Sequence, residues 1–370
     1  MASRLLTQLA ARIAAARHPV EAACLRAQSG IYLARQGNHA EAQAIVDAIR
    51  SEFAERPNAE VTAWVSLLEA VIHFFSQPGP KALDRLRRAH ALGRAIQHPV
   101  LVPLCAAWLA HIEFNANRME PMLQYAAEAL RLAQPDHHAA LARVSLVIAD
   151  AFHFAGRFDL AKPWYAAVRE HALAEGDDAM ISAMLHNVAA LRANHVRLGD
   201  AFGEPHPEET WRALLELDST SNYDFGIGAI SLDLLVPLVR AQLCMVQRRY
   251  SDAISLYSQT LDRQNEQNLA RREGCFFAER AWCYHHMGDL ACADADISAA
   301  IVRVGVPADP DDQAAMHARL SSIYQSRGLI EFAKRHADLA LAARQQLIAE
   351  QNSLLGALIG AQVGPIRSGA

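Results

Sequence analysis

The sequence is poor in cysteine, and its cysteines form no recognisable pattern. Six occur among 370 residues, none of them in a Cys-x-x-Cys pair, and each lies in an apolar helical context. Isolated buried cysteines behave as small hydrophobic side chains, whereas disulfide frameworks are typical of short secreted chains. We therefore expect neither a disulfide framework nor a catalytic cysteine.

Basic residues are not in excess, and no uninterrupted apolar run reaches the roughly 18–20 residues that cross a bilayer. Thirty-five Lys and Arg against 40 Asp and Glu give a net charge of −5, which argues against a nucleic-acid partner. Arg12 falls where a secretion signal needs its apolar segment. We expect a cytoplasmic protein without a membrane partner. Its 52% apolar and 20% charged residues suffice for a large folded core.

The common catalytic signatures are missing as well. There is no Gly-rich phosphate loop, no Gly-x-Ser-x-Gly and no His-Glu-x-x-His. Cys283, His285 and His286 form one candidate metal cluster. Adjacent residues on a helix point about 100° apart, so at most one of the two histidines can join the cysteine without ligands from another helix. We expect no catalytic residues, no metal and no cofactor, with a hidden zinc or hydrolytic enzyme as an alternative.

What the sequence does contain is an internal repeat. Its best copy reads Ala149-x-x-Phe152-x-x-x-Gly156-x-Phe158-x-x-Ala161-x-x-x-Tyr165-x-x-Val168. The turns of successive copies fall at Gly37, Gln77, Asn117, Gly156, Arg248, Gly288 and Gly328. They are 39 or 40 residues apart, except for a gap of 92 residues (248 minus 156) that holds one distorted copy. Small residues let two antiparallel helices approach closely, and a glycine ends the first helix within a short turn.

This pattern of small residue, aromatic, Gly and Ala resembles the tetratricopeptide repeat over about residues 22–342. The 40-residue period is similar to long-helix variants of that repeat, including the N-terminal regions of bacterial diguanylate cyclases (GGDEF proteins) and of ATP-dependent transcription activators. HEAT-like repeats share the period but not the signature. The resemblance implies an all-α, right-handed α-solenoid of about eight antiparallel helix pairs, in which stacking supplies the core.

The repeats predict four segments. Residues 1–198 and 228–342 hold the N-terminal and C-terminal repeats, and residues 343–370 form a capping or amphipathic helix with a frayed tail from Gly364. Between the repeats, residues 199–227 form an irregular insertion. A short helix is predicted to start there at Pro207. A loop is predicted to follow it at residues 218–226, because Ser, Asn, Asp and Gly cluster in that stretch.

The resemblance also implies a concave groove lined by the first helices of the pairs. Groove positions of the family fall on the following candidate binding residues: Trp64, Phe75, His111, Asn115, Arg143, Asp150, His153, Asn187, Asn194, Gln242, Trp282 and His286. Asn187 and Asn194 lie seven residues apart on one helix face, and a carboxamide can pair with any peptide backbone. Alternatively, the two asparagines are solvated, the aromatics pack between pairs, and Arg143 and Asp150 form a surface pair.

The family's clamp for a C-terminal carboxylate needs Lys at the fifth position of a repeat. Here those positions hold Ala or Leu, so we do not expect a co-chaperone that binds chaperone tails. The predicted function is a non-enzymatic module that binds a protein or peptide in its groove. A sensory module of bacterial signal transduction without its output domain is the alternative, and the C-terminal helix is a candidate dimer contact.

Overall fold

The computed structural model describes residues 3–76, 79–231, 235–261, 271–303 and 308–361. These segments fold into the following helices: α1 (Arg4–Ala15), α2 (Pro19–Arg35), α3 (His39–Glu52), α4 (Ala59–Ser76), α5 (Pro80–Ala95), α6 (Leu101–Asn115), α7 (Met119–Leu132), α8 (His138–Phe154), α9 (Phe158–Glu175), α10 (Asp178–Ala201), α11 (Pro207–Ile227), α12 (Leu235–Val246), α13 (Tyr250–Leu261), α14 (Glu273–Met287), α15 (Leu290–Val302), α16 (Pro310–Ser326) and α17 (Ile330–Gly360). After α1, the helices form eight successive pairs from α2/α3 to α16/α17. The all-α repeat fold predicted from the sequence is thereby confirmed.

The turns within the pairs share one backbone geometry. At Gly37, Asn117, Gly156, Arg248, Gly288 and Gly328 the backbone is left-handed, with positive φ. In each case the next residue donates a backbone hydrogen bond to the carbonyl five positions earlier, as from Arg157 N to Phe152 O at 2.9 Å. The same hydrogen-bonded helix end forms where another residue replaces the glycine. This explains why the period stays near 40 residues in those copies as well. The predicted turn position Gln77 lies outside the described residues.

The chain divides into two compact units. Unit 1 comprises residues 1–184, 222–231 and 354–370, and unit 2 comprises residues 185–221 and 232–353. In unit 1 the first helices pack side by side, α2 against α4 and α6 against α8, and each also packs on its own partner helix. A Cβ built on Gly30 of α2 would lie 2.7 Å from Leu68 Cδ2 of α4. The small residue therefore allows α2 and α4, the first helices of neighbouring pairs, to approach closely.

Unit 2 repeats the arrangement with α12 to α16, where α12 packs on α13 and α14 packs on α15 and α16. Its core includes Phe276, Tyr257, Leu320 and Ile323. The four segments predicted in the sequence analysis follow the repeat pattern, whereas the two compact units follow contacts in the fold. The units do not test the segments, which therefore stay predictions. The frayed tail from Gly364 lies outside the described residues.

Helix α11 corrects one expectation. The predicted loop at residues 218–226 is helical, because α11 continues to Ile227. The hydroxyls of Ser219, Thr220 and Ser221 bond the backbone carbonyls four residues earlier. The polar cluster that favoured a loop is therefore satisfied within the helix. The predicted helix start at Pro207 is confirmed.

Helices α4 and α17 are rich in apolar side chains, which raises the question of membrane or dimer contacts. Among the described residues, α4 is the one helix long and apolar enough to cross a membrane, but 61% of it is buried inside the fold. That is the composition of a core helix. Helix α17 buries Leu347, Leu354 and Leu358 and exposes Ile348. Dimerisation through α17 stays a prediction.

Candidate functional site

A large cavity lies within unit 1, on the side of the first helices. Its volume is about 1130 Å³, and helices α1, α2, α4, α6, α8 and the start of α10 contribute to its lining. A site for a drug-sized ligand has about 300–1,000 Å³. The unit 1 cavity therefore exceeds what a small metabolite needs and can accommodate a short chain of residues.

Helix α1 forms one wall of this cavity through Leu5, Leu9 and Arg12. At the first residue of α1, the Arg4 guanidinium donates to the carbonyl of Leu173 near the end of α9. The helix begins with a Ser3 side chain that accepts from the backbone N–H of Leu6. Helix α1 is therefore held to the rest of unit 1 by polar contacts as well as by its packing on α2.

The cavity combines two tryptophans with charged groups of both signs. Trp64 on α4 and Trp108 on α6 are almost fully buried and line it. Arg35 and Arg143 supply buried positive charge, and Asp177 supplies negative charge. Further polar lining comes from the following residues: Glu21, Gln28, Glu60, His98, Gln134, Asp136, His137, His138 and Glu175.

The arginines differ in their partners. Arg35 Nη1 lies 2.6 Å from Asp177 Oδ2, and both side chains are buried. The guanidinium carbon of Arg143 lies 3.8 Å above the ring of Trp108, a cation–π contact. Burial, with a contribution from Arg35, lowers the pKa of Arg143 well below its ordinary value. Burial, and then Asp177, raises the pKa of Glu175. The cavity thus holds its charges in a poorly solvated environment.

The histidines and a thiol at the cavity edge are fixed by hydrogen bonds. His98 Nε2 lies 3.1 Å from Glu60 Oε1, and Cys24 Sγ lies 3.7 Å from the same oxygen. Burial raises the pKa of Cys24 to about 12, so this thiol is not a reactive nucleophile at neutral pH. His137 Nε2 lies 2.7 Å from the carbonyl oxygen of Val100, and His138 pairs with His171. The Pro-Asp turn before His137 and His138 favours solvated side chains, whereas both histidines are half-buried and hydrogen-bonded.

Of the twelve candidate binding residues, Trp64 and Arg143 line the unit 1 cavity. Phe75 and His111 instead pack edge-on against Phe74 and Trp108. Asn115 is exposed and lies 3.3 Å from His111 through its amide nitrogen. Phe75 and His111 thus belong to an aromatic cluster at the ends of α4 and α6, which agrees with the alternative of packing between pairs, and the groove role of Asn115 stays a prediction.

Asp150 and His153 belong to the interior of the α8/α9 pair. Asp150 accepts a hydrogen bond from the hydroxyl of Tyr165 at 2.9 Å, and His153 Nδ1 lies 3.1 Å from the same hydroxyl. Arg143 and Asp150 are both buried. The interpretation of these two charges as a surface pair is therefore wrong, because both side chains are buried.

The remaining candidates lie in unit 2. The amide of Asn194 donates to Asp311 at 2.7 Å and its oxygen accepts from Arg197 at 2.5 Å. Gln242 is buried and donates to Glu279 at 3.3 Å. Asn187 is half-buried. The side-chain amides of Asn194 and Gln242, which the sequence predicts to contact a ligand, are therefore hydrogen-bonded to charged residues of the protein itself. The groove role of these residues stays a prediction.

Trp282 and His286 lie near the surface of unit 2. Arg319 stands 5.2 Å above the Trp282 ring, and His286 is exposed and stacks on Tyr250 with ring centroids 4.8 Å apart. His285 pairs with Ser326 at 2.8 Å. In the described part of the chain, the group spaced to hold a metal is Asp309, Asp311 and Asp312. Arg197, Arg271 and Arg272 pair with these three aspartates, so their charge is already balanced.

No family model and no curated protein matches the sequence. Several solved structures resemble the fold, two Rap proteins among them. The apo form of RapI matches with a TM-score of 0.50 and 10% identity over 77% of this chain and 98% of that chain. A Rap protein complexed with competence and sporulation factor matches with a TM-score of 0.52 and 13% identity over 90% of this chain and 100% of that chain. At such identities the likeness establishes the fold. The resemblance to GGDEF proteins gains no support from these comparisons.

Proposed function

We propose that the protein is a non-enzymatic binding module, and that the unit 1 cavity receives a short peptide. The observation that carries the proposal is the cavity itself, about 1130 Å³ in volume and lined by two tryptophans and by charges of both signs. A peptide with free ends presents both charges, apolar side chains and a backbone that donates and accepts hydrogen bonds. Each of these features has a counterpart in the lining.

Two further considerations support a peptide over other ligands. The cavity is formed by first helices that pack against one another, and a preformed site limits the free energy spent on ordering when a ligand enters. The structural neighbour with a TM-score of 0.52 is complexed with competence and sporulation factor, so a protein with this fold can hold a ligand. The sensory-module alternative gains nothing comparable from the described residues.

The proposal is tested with a synthetic pool of pentapeptides carrying free termini and randomised side chains. Wild-type protein is mixed with the pool, filtered, and the retained peptides are counted by mass spectrometry. Gln28 lines the cavity, so Gln28→Trp fills it. Gln43 is exposed on α3, so Gln43→Trp places the same side chain outside the cavity as a matched control.

We expect peptides to be retained by wild type and by Gln43→Trp, and at least tenfold less by Gln28→Trp, with unchanged circular dichroism in all three. Equal retention by the three proteins would place binding outside the cavity. No retention by the wild type would refute the peptide proposal.

A further inference from the structure

Arg143 is exceptional among the buried arginines. In the described part of the chain, four arginines are buried: Arg35, Arg143, Arg197 and Arg319. Arg35 pairs with Asp177, Arg197 with Glu279 and Asp312, and Arg319 with Asp200. Among these same residues, no carboxylate forms an ion pair with Arg143, although its exposure is only 2%.

A buried charge without a counter-ion is unfavourable by several kcal/mol, so folded proteins rarely keep one unless it has a use. Arg143 Nε has no hydrogen-bond partner, and neither has Arg35 Nη2. Both arginines line the unit 1 cavity. Asp177 is engaged by Arg35, so the Arg143 guanidinium faces this part of the lining without an ion-pair partner of its own.

The contact with Trp108 fixes how Arg143 can bind. The ring covers one face of the guanidinium at 3.8 Å, whereas the N–H bonds of a guanidinium lie in its plane and point away from its edge. Stacking therefore orients the group without using its donors. A planar carboxylate is the acceptor that matches this edge, because it can take two parallel hydrogen bonds.

We infer that Arg143, positioned by Trp108 and assisted by Arg35, binds a carboxylate of the ligand in the unit 1 cavity. The inference rests on the proposed function, and the expected carboxylate is the free C-terminus of a short peptide or the side chain of Asp or Glu within it. The site differs from the family's clamp, whose lysine positions are Ala or Leu in this chain. Here the cations come from α2 and α8 instead.

The test uses two synthetic pentapeptide pools that differ only at the C-terminus, one with a free carboxylate and one with an amide. Retention by wild type is compared with that by Arg143→Met, which keeps an unbranched apolar side chain and removes the guanidinium. Arg143→Lys keeps the charge and removes the planar edge. Circular dichroism of each variant shows whether it is folded.

We expect wild type to retain the acid pool at least tenfold better than the amide pool, which corresponds to about 1.4 kcal/mol, and Arg143→Met to abolish the preference. Arg143→Lys should retain only part of it. Enrichment of Asp or Glu in the retained amide pool, lost in Arg143→Met, would support the same site with a side-chain carboxylate as its source.

Three results would count against the site. Equal retention of both pools by wild type, without enrichment of acidic side chains, overturns the carboxylate site and leaves the peptide proposal standing. A preference that persists in Arg143→Met overturns the assignment to Arg143. Retention of neither pool by wild type refutes the proposed function, and the carboxylate site with it.

Discussion

Arg35 and Asp177 are 142 residues apart in the chain and form a buried ion pair at 2.6 Å. Arg35 is the last residue of α2, and Asp177 directly precedes α10, where its other carboxylate oxygen accepts from the backbone N–H of Met180 at 3.0 Å. The pair therefore joins the first helix pair of unit 1 to the start of the fifth. Both residues line the unit 1 cavity. This ion pair therefore joins two segments of the cavity wall and contributes one positive and one negative group to the lining.

We expect Arg35→Met to lower the free energy of unfolding by about 3–5 kcal/mol, because it leaves the Asp177 carboxylate buried without a counter-ion. Urea titration followed by circular dichroism measures the loss. The double variant Arg35→Met/Asp177→Asn should recover part of it, because Asn removes the charge and still accepts from Met180. No recovery in the double variant would contradict this account.

Arg143→Met should have the opposite effect on stability. Removing a buried charge that has no ion-pair partner relieves its desolvation, while the cation–π contact with Trp108 is lost. We expect the free energy of unfolding to stay equal or to rise by up to about 2 kcal/mol. The same urea titration measures it. A loss above about 1 kcal/mol would show that Arg143 stabilises the fold, and would contradict the view that its charge serves ligand binding.

The sequence could predict the repeat and its turns because both are local. A left-handed residue closes each pair at positions such as Gly156 and Gly328, and the pattern of small and apolar residues around them is visible in the chain. Even Asn117 and Arg248, which lack the glycine, follow from the period. The continuation of α11 through Ser219 to Ser221 could not be predicted in this way. The composition there favours a loop, but the side-chain hydroxyls donate hydrogen bonds to backbone carbonyls within the helix.

The site was only partly visible in the sequence. Trp64 and Arg143 follow from the groove positions of the repeat, but Arg35 reads as an ordinary cation at a helix end and Asp177 as an acid at a helix start. Their pairing depends on how the three intervening helix pairs stack, and no local pattern encodes it. Asn194 has a sequence position that fits a ligand contact, but Arg197 and Asp311 engage its amide.

Arg197 is the centre of the ion network in unit 2. Its Nη1 lies 2.8 Å from Asp312 Oδ1 and 3.4 Å from Glu279 Oε1, and all three side chains are buried. Arg197→Met should therefore lower the free energy of unfolding by about 3–5 kcal/mol, because two buried carboxylates lose a counter-ion. Urea titration measures the change.

Arg249→Met is the matched control for that variant. Arg249 is exposed and pairs with Asp252 at 2.6 Å on the surface of unit 2. An exposed ion pair is screened by water and contributes little to stability, so a much smaller loss is expected. Losses of similar size in Arg197→Met and Arg249→Met would contradict the view that burial makes the Arg197 network important.

The stability of the protein should fall in acid partly through His186. Burial, with a smaller contribution from Arg272, lowers the pKa of His186 from 6.5 to about 4. The unfolded chain therefore binds a proton below pH 6.5 that the folded chain does not bind. Its contribution is fully favourable above pH 6.5 and is lost as the pH falls towards 4, by up to about 3 kcal/mol.

The His186→Gln variant isolates that contribution, because the amide does not titrate. The loss of unfolding free energy between about pH 7.5 and 4.5 should be about 2–3 kcal/mol smaller in the variant than in wild type. Urea titrations of both proteins at the two pH values measure the difference. Identical pH dependences would mean that His186 is protonated in the folded protein as readily as in the unfolded chain.

Gly37 and Gly156 occupy equivalent turns but have different surroundings. Both have positive φ, 94° and 74° respectively. A Cβ built on Gly37 would lie 2.7 Å from Ile230 Cγ1 and 3.1 Å from the backbone nitrogen of Ser231, whereas one on Gly156 meets nothing within 4 Å. Gly156→Ala should therefore lower the free energy of unfolding only by the left-handed strain, about 1–2 kcal/mol. Gly37→Ala should lower it further, because the segment at Ile230 must also move. Equal losses in urea titration would show that this segment, which bonds to Gln36 O through Ile230 N at 3.1 Å, shifts without resistance.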